Sequence, residues 1–301
     1  MPNSPIAIIT DDPGWHGRQL AESFSKRGYS SSFIRLQDCH FETHSEVAEI
    51  HLPGFDHLPL AVFVRGIPGG TLEEVIYYLD VLHGLEAMDI RVINNVRAIE
   101  RSVDKGMTSF LLKLYGINTP KSFYSSDLHY INNKLREEFK SGKEYVLKPI
   151  FGSQGKGVQK ISCQRDIIDY SEWHGVMYIQ EFIDAGYQVG VDYRIFVVGH
   201  QVISSMKRTG TDWITNVAQG GQVEAVDLPV AVKQMALEAV QVLNLEYAGV
   251  DLIEDKSGQF WVTEVNSVPA WKGLQSTMES NVVDVIADDF LKQCDLPILY
   301  K

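Results

Sequence analysis

Three oxygen-bearing side chains near the C-terminal end, Asp251, Glu264 and Asn266, have the types and spacing of a metal site. Gly249-Val250-Asp251-Leu252-Ile253 and Phe260-Trp261-Val262-Thr263-Glu264-Val265-Asn266 both alternate as strands do, and residues two apart on a strand share a face. Glu264 and Asn266 therefore point the same way, and Asp251 can join them from a neighbouring strand. Two carboxylates and an amide oxygen make a hard donor set of the kind that holds Mg²⁺ against phosphates. Well upstream, Tyr145-Val146-Leu147-Lys148-Pro149 reads as a strand that delivers a lysine. It is followed by the glycine-rich Gly152-Ser153-Gln154-Gly155-Lys156-Gly157. Together the two segments describe cations over a phosphate chain on one side and metal ligands beneath it on the other.

The loop matches neither of the two commonest phosphate-binding patterns. A Walker loop needs Ser or Thr after Gly-Lys, and Lys156 is followed by Gly157; a dinucleotide fingerprint spaces its glycines differently. Gly155 and Gly157 would let the backbone approach a triphosphate, with Lys148 reaching its oxygens. Taken alone, the segment could equally be a hairpin turn. Lys105, beside Asp104 at the opening of a helix, is either a surface charge or a second cation set for the phosphates. Tyr178-Ile179-Gln180-Glu181-Phe182-Ile183 is an edge strand whose backbone and Glu181 carboxylate could take up an adenine. Asp192 and Arg194 share a strand face and Arg208 follows the next strand. They form either a buried ion pair or a cationic wall for transferring phosphate charge. Asn216, after Trp213-Ile214-Thr215 and before Gly220-Gly221, could shape the reaction site or lie in a surface loop.

Other chemistries are disfavoured. His16, His40, His44, His51, His57 and His83 form no metal-spaced pair on a common element and read as solvated surface; no Ser or Cys has a convincing His partner. Cys39, Cys163 and Cys294 are scattered, as in a reducing compartment. A net charge of −12 argues against nucleic-acid and anionic-membrane partners. With no signal-like start and no apolar run long enough for a membrane span, the expectation is a cytoplasmic protein.

The elements that must position these groups are legible from periodicity. Pro5–Thr10, Ser32–Leu36, Leu60–Val64 and Arg91–Asn94 read as strands, and Arg18–Arg27, closed by Gly28, as a helix. Leu72, Val75, Ile76, Leu79, Leu82 and Leu85 predict a helix buried along that stripe. This strand–helix alternation predicts a small parallel α/β domain over residues 1–95. Beyond it, a helix over Asp104–Tyr115, an antiparallel pair turning at Gly199-His200 and a helix over Val230–Leu243 are expected. The fold class is thus α/β with α+β lobes, the second lobe over 96–183 with the glycine loop, the third over 184–301 with the metal site.

The order of motifs resembles the ATP-grasp superfamily and, within it, the RimK-like carboxylate–amine ligases. The matching pieces are Asp104-Lys105, Leu147-Lys148-Pro149 with Gly152–Gly157, Gln180-Glu181-Phe182-Ile183, Asp192-Tyr193-Arg194, Trp213-Ile214-Thr215-Asn216, Asp251, and Glu264-Val265-Asn266. The resemblance implies ATP held between two lobes, with Lys105, Lys148 and the loop glycines Gly155 and Gly157 on the phosphates. Glu181 and the Phe182 backbone would lie at adenine, and Asp192 near the ribose or phosphates. Asp251, Glu264 and Asn266 would hold one or two Mg²⁺ ions, for which Mn²⁺ could substitute. Arg194, Arg208 and Asn216 would be the catalytic groups. The implied chemistry converts a carboxylate to an acyl phosphate, which an amine then turns into an amide.

The chain departs from the family in two ways. Ile214 stands where ribosomal-protein glutamate ligases carry arginine, as in LysX-type ligases that act on a carrier protein. Ser267-Val268-Pro269-Ala270-Trp271-Lys272-Gly273 is nearer the glutamate-adding members. Arg65-Gly66-Ile67-Pro68-Gly69-Gly70 is similar to relatives of pterin and furan cofactor pathways. The narrow expectation is a homo-oligomeric L-glutamate ligase acting on a small, tetrahydromethanopterin-like precursor. Modification of a protein or carrier-protein C-terminus is the alternative within the ligases, and a non-catalytic ATP-binding module the alternative outside them.

Overall fold

The structure is a computed structural model that describes residues 5–152, 157–163, 175–187, 189–211, 213, 215 and 221–299. The chain forms two compact units. One comprises residues 1–99, 245–247 and 268–301; the other comprises 100–244 and 248–267.

In the first unit β1 (Ile6–Ile9), α1 (Gly14–Lys26), β2 (Ser31–Ile34), β3 (His40–Thr43), β4 (Ala48–His51), β5 (Val62–Val64), α2 (Leu72–Ala87) and β6 (Val92–Ile93) follow in order. β2-β1-β5-β6 form a parallel sheet. Its central strands β1 and β5 are short apolar runs buried on both faces, as a helix-covered parallel sheet requires, whereas the edge strand β2 buries only Ile34. α2 opens on a capping box, Thr71 Oγ1 accepting from Glu74 N (3.3 Å) and Glu74 Oε2 from Thr71 N (2.7 Å). Its buried stripe is Tyr78, Val81, Leu82 and Leu85, whereas Leu72 and Ile76 are exposed, so the expected stripe holds only in the last turns. Apolar periodicity gives the helix but not the turn at which the core begins. The expected strand over Ser32–Leu36 ends at Ile34, and Leu36–Asp38 form a 3₁₀ turn. The β3–β4 hairpin was not expected.

α3 (Val96–Val103) leads into the second unit, with α4 (Lys105–Leu114), β7 (Ser122–Ser125), α5 (Leu128–Lys140), β8 (Tyr145–Lys148), β9 (Gln159–Ile161), β10 (Met177–Glu181), β11 (Val191–Val198), β12 (Gln201–Thr209), β13 (Gln222–Ala225), α6 (Val230–Leu243), β14 (Tyr247–Glu254) and β15 (Phe260–Asn266). One antiparallel sheet has the order β7-β10-β8-β9, the other the order β13-β12-β11-β14-β15. Gly199 and His200 both take positive φ (54° and 64°) between β11 and β12, the two-residue turn whose twist matches a hairpin. α6 ends at Asn244 in the left-handed region (φ 61°).

α7 (Lys272–Gln275) and α8 (Val282–Gln293) return to the first unit. There the Arg27 guanidinium donates to Asp288 (2.6 and 2.9 Å) and Asp284 (3.0 Å), fastening α1 to α8, while Phe290 packs on Phe24 and Phe63. No described helix is long and apolar enough to cross a membrane.

Candidate active site

The second unit assembles the site from both of its sheets. β14 and β15 pair with Asp251 directly opposite Glu264 and Gly249 opposite Asn266, so the three oxygen donors lie on adjacent strands. The Asn266 amide is 3.4 Å from Asp251 Oδ2. On β11, Asp192 faces Arg208 of β12 across the ladder. Arg208 donates to both Asp192 oxygens (2.6 and 2.6 Å) and reaches Asp251 Oδ2 at 3.1 Å. Arg194 grips Asp251 in a second fork (2.6 and 2.7 Å), and Thr215 donates to Asp192. Asp192, Arg208 and Asp251 are almost fully buried.

Each ionisation state follows from this chain of charges. Burial opposes the Asp251 carboxylate, yet the Arg194 and Arg208 guanidiniums outweigh it and its pKa falls to about 2. Asp192 goes the other way: burial raises its pKa despite Arg208, and the neighbouring Asp251 charge adds to that rise. Burial alone would lower the pKa of Arg208, but Asp251 and Asp192 raise it.

Lys148 ends β8 opposite Tyr178 of β10. Its ammonium donates to Gln180 Oε1 (2.6 Å), Gln180 Nε2 donates to the Tyr178 hydroxyl (2.9 Å), and that hydroxyl pairs with Ser109 Oγ on α4 (2.7 Å). Burial lowers the Lys148 pKa, with Glu264 opposing the fall. Lys105 sits at the first position of α4, where Asp104 caps the helix by accepting from Met107 N (3.0 Å). Its Nζ donates to the carbonyls of Gly152 (2.9 Å) and Ile150 (3.3 Å), at the mouth of the glycine-rich segment, and lies 3.9 Å from Glu264 Oε1. Gly157 has φ +71°, and a Cβ there would sit 3.1 Å from the Pro149 ring. Gly155 and Asn216 lie outside the described residues.

At the end of β10 the Glu181 carboxylate pairs with Lys143 (2.8 Å). The Phe182 N–H donates to Glu144 O (2.9 Å), so an adenine at Phe182 would meet its carbonyl. Lys160 Nζ stands 3.8 Å above the Phe182 ring, and Trp213 meets that ring edge-on (6.2 Å). Sequence reasoning gave no role to Tyr178, Gln180, Lys143 or Lys160. The first two were findable, because Gln180 is two residues from Tyr178 and shares its strand face. Lys143 and Lys160 come from neighbouring segments that only the sheet brings together.

In the first unit, Arg65 donates to Pro269 O (3.1 Å) and covers the Trp271 ring at 4.6 Å. Trp271 is fully buried, and its indole N–H has no partner among the described residues. His16 meets Trp271 edge-on (4.6 Å) and accepts from the Trp271 and Lys272 N–H groups (3.2 and 3.3 Å).

Comparison with known proteins places this architecture. A family model for the RimK-like ATP-grasp domain matches residues 102–290. The tetrahydromethanopterin:alpha-L-glutamate ligase of Methanococcus maripaludis is 35% identical over 293 residues, covering 95% of this chain and 97% of that protein. The protein of the same name from Methanocaldococcus jannaschii is 36% identical over 211 residues, covering 67% of this chain and 71% of that one. Among solved structures, the ATP-grasp ligase PsnB, complexed with a phosphomimetic variant of its minimal precursor, Mg and ADP, superposes with a TM-score of 0.75. It does so at 20% identity over 97% of this chain and 99% of that one, a likeness of fold. The chain belongs to the RimK-like ATP-grasp family and is an ATP-dependent ligase.

Proposed function

We propose that the protein joins L-glutamate to a pterin cofactor of the tetrahydromethanopterin type. The near-full-length likeness to the Methanococcus maripaludis ligase supports the substrate. The observation that carries the chemistry is the pairing of Asp251, Glu264 and Asn266 on β14–β15 with Lys105 and Lys148 beside them. Glu264 is part-exposed and all three donors are oxygens, so the set fits Mg²⁺, with Asp251 turning to the ion from the Arg194 and Arg208 pairs that hold it ionised. Bound there, the ion would neutralise charge on the β- and γ-phosphates of ATP.

Lys105 and Lys148 would hold phosphate oxygens, the latter aimed by Gln180. Gly155 and Gly157 would let the loop backbone close on the phosphates, Glu181 and the Phe182 carbonyl would meet adenine, and Asp192 would lie near the ribose or phosphates. An oxygen of the acceptor carboxylate attacks the γ-phosphorus, and the bond from that phosphorus to the ADP oxygen breaks. The glutamate amine then attacks the acyl carbon, expelling phosphate and losing a proton. Arg194 and Arg208 would supply fixed positive charge for this transfer, and Asn216 would serve as a third catalytic group. The three larger sheets, one in each of the ranges 1–95, 96–183 and 184–301, support a three-lobed reading; residues 268–301 nevertheless group with the first unit.

The test is mass spectrometry of reactions containing Mg-ATP, L-glutamate and tetrahydromethanopterin. A product heavier by one glutamyl residue is expected. ADP release only with a protein acceptor would overturn the substrate assignment and leave the ligase chemistry standing.

A further inference from the structure

The β3–β4 ribbon of the first unit takes no part in the site above. Its register sets His40 opposite His51 and Glu42 opposite Glu49. Directly opposed side chains of an antiparallel pair leave the same face, so one face carries two imidazoles and two carboxylates. The other face carries Phe41 and Ile50. Phe41 stacks on Tyr77 of α2 (5.9 Å), and Ile50 packs on the core of this unit. The apolar face therefore anchors the ribbon and fixes the direction of the polar one. There the His40 and His51 rings stack with centroids 4.8 Å apart and planes 24° from parallel. One ligand atom each from His40, Glu42 and His51 all lie within 4.8 Å of one another.

Stacked imidazoles beside a carboxylate gain little as a surface arrangement. As ligands they match a specific class of ion. Two nitrogens and one carboxylate oxygen are the donor set of His₂Glu zinc centres, whereas Mg²⁺ and Ca²⁺ select oxygen alone. Ligand atoms about 2.0 Å from a tetrahedral ion stand about 3.3 Å apart, so closure needs side-chain movement of roughly 1.5 Å. Rotation about exposed χ angles supplies that without moving the strands. Glu49 Oε2, 3.6 Å from His51 Nε2, and His44 Nε2, 3.2 Å from Glu42 Oε2, border the cluster as orienting groups. We propose that this face of the ribbon binds one borderline divalent transition-metal ion, Zn²⁺ by ligand type, through His40, Glu42 and His51. The site is independent of the ligase reading.

The test is calorimetric titration of the full-length chain with Zn²⁺ in nucleotide-free buffer. One ion per chain is expected, with His40→Ala and His51→Ala each weakening binding by at least about tenfold. The His51→Gln variant, which keeps the ribbon polar and similar in volume, should lose as much; circular dichroism checks that each variant is folded. His57→Ala should bind as the parent does. No stoichiometric binding would overturn the proposal. So would a site that survives His40→Ala/His51→Ala together and disappears in Glu264→Gln, which would place the ion on the Asp251–Glu264–Asn266 oxygens instead.

Discussion

At the scale of single residues, Arg208 is the clearest case of a side chain with two duties. It forks onto Asp192 and reaches Asp251, all three being buried. Removing one partner of a buried pair leaves an uncompensated charge, so Arg208→Ala should cost about 3–5 kcal/mol of stability, read by chemical denaturation. An unchanged midpoint would mean that the carboxylates do not depend on it. Glu264→Gln is the contrasting change: it keeps the shape, stands part-exposed, and should abolish ADP formation with little loss of thermal stability. His16 carries a pH dependence. Burial, then the Arg65 and Lys272 cations, lower its pKa to about 4, below the unfolded value near 6.5. As pH falls the unfolded chain takes up the proton first. The stability this imidazole contributes is thus complete above about pH 6.5 and is lost towards pH 4. After discounting for its partial exposure it amounts to roughly 1–2 kcal/mol. His16→Gln should flatten thermal stability across that window.

At the scale of elements, local signals were legible where one residue type decides the backbone. Val230–Leu243 folds as the periodicity predicts, and the turn at Gly199-His200 lies where expected. Asp104 opens α4 and so places Lys105 in its first turn. Asp104→Ala should cost about 1 kcal/mol of stability and, by loosening that turn, raise the KM for ATP. A stability loss with KM unchanged would separate the cap from the phosphate site. What the sequence could not show was side-chain traffic between distant strands. Arg194 and Asp251 are 57 residues apart, and nothing in either segment reveals that the Arg194 fork closes on Asp251 while the Arg208 fork closes on Asp192. The β3–β4 ribbon was missed because each short strand carries a single large apolar residue, Phe41 or Ile50, and the connection between them lacks a glycine. With α2, the pattern gave the period while the position of the core set which turns are buried.

At the scale of the whole molecule, the chain divides where its sequence does not. Residues 245–247 belong to the first unit through Asn94, which accepts from Glu246 N and Tyr247 N (2.8 and 3.0 Å), and through the Arg91–Glu246 pair (2.9 Å). No reading of local periodicity assigns Leu245–Tyr247, where the β14 metal strand begins, to the N-terminal unit. Every phosphate and Mg²⁺ contact proposed for the ligase reaction lies within the second unit, as does the matched family domain for most of its length. The central claim is glutamyl transfer driven by ATP. Its most direct test is to incubate the protein with Mg-ATP, L-glutamate and tetrahydromethanopterin and to weigh the pterin product while counting ADP. The account predicts one ADP for each glutamyl residue added, and neither product in Glu264→Gln. ADP formed without glutamate in the pterin product, or a Glu264→Gln protein that still makes it, would contradict it.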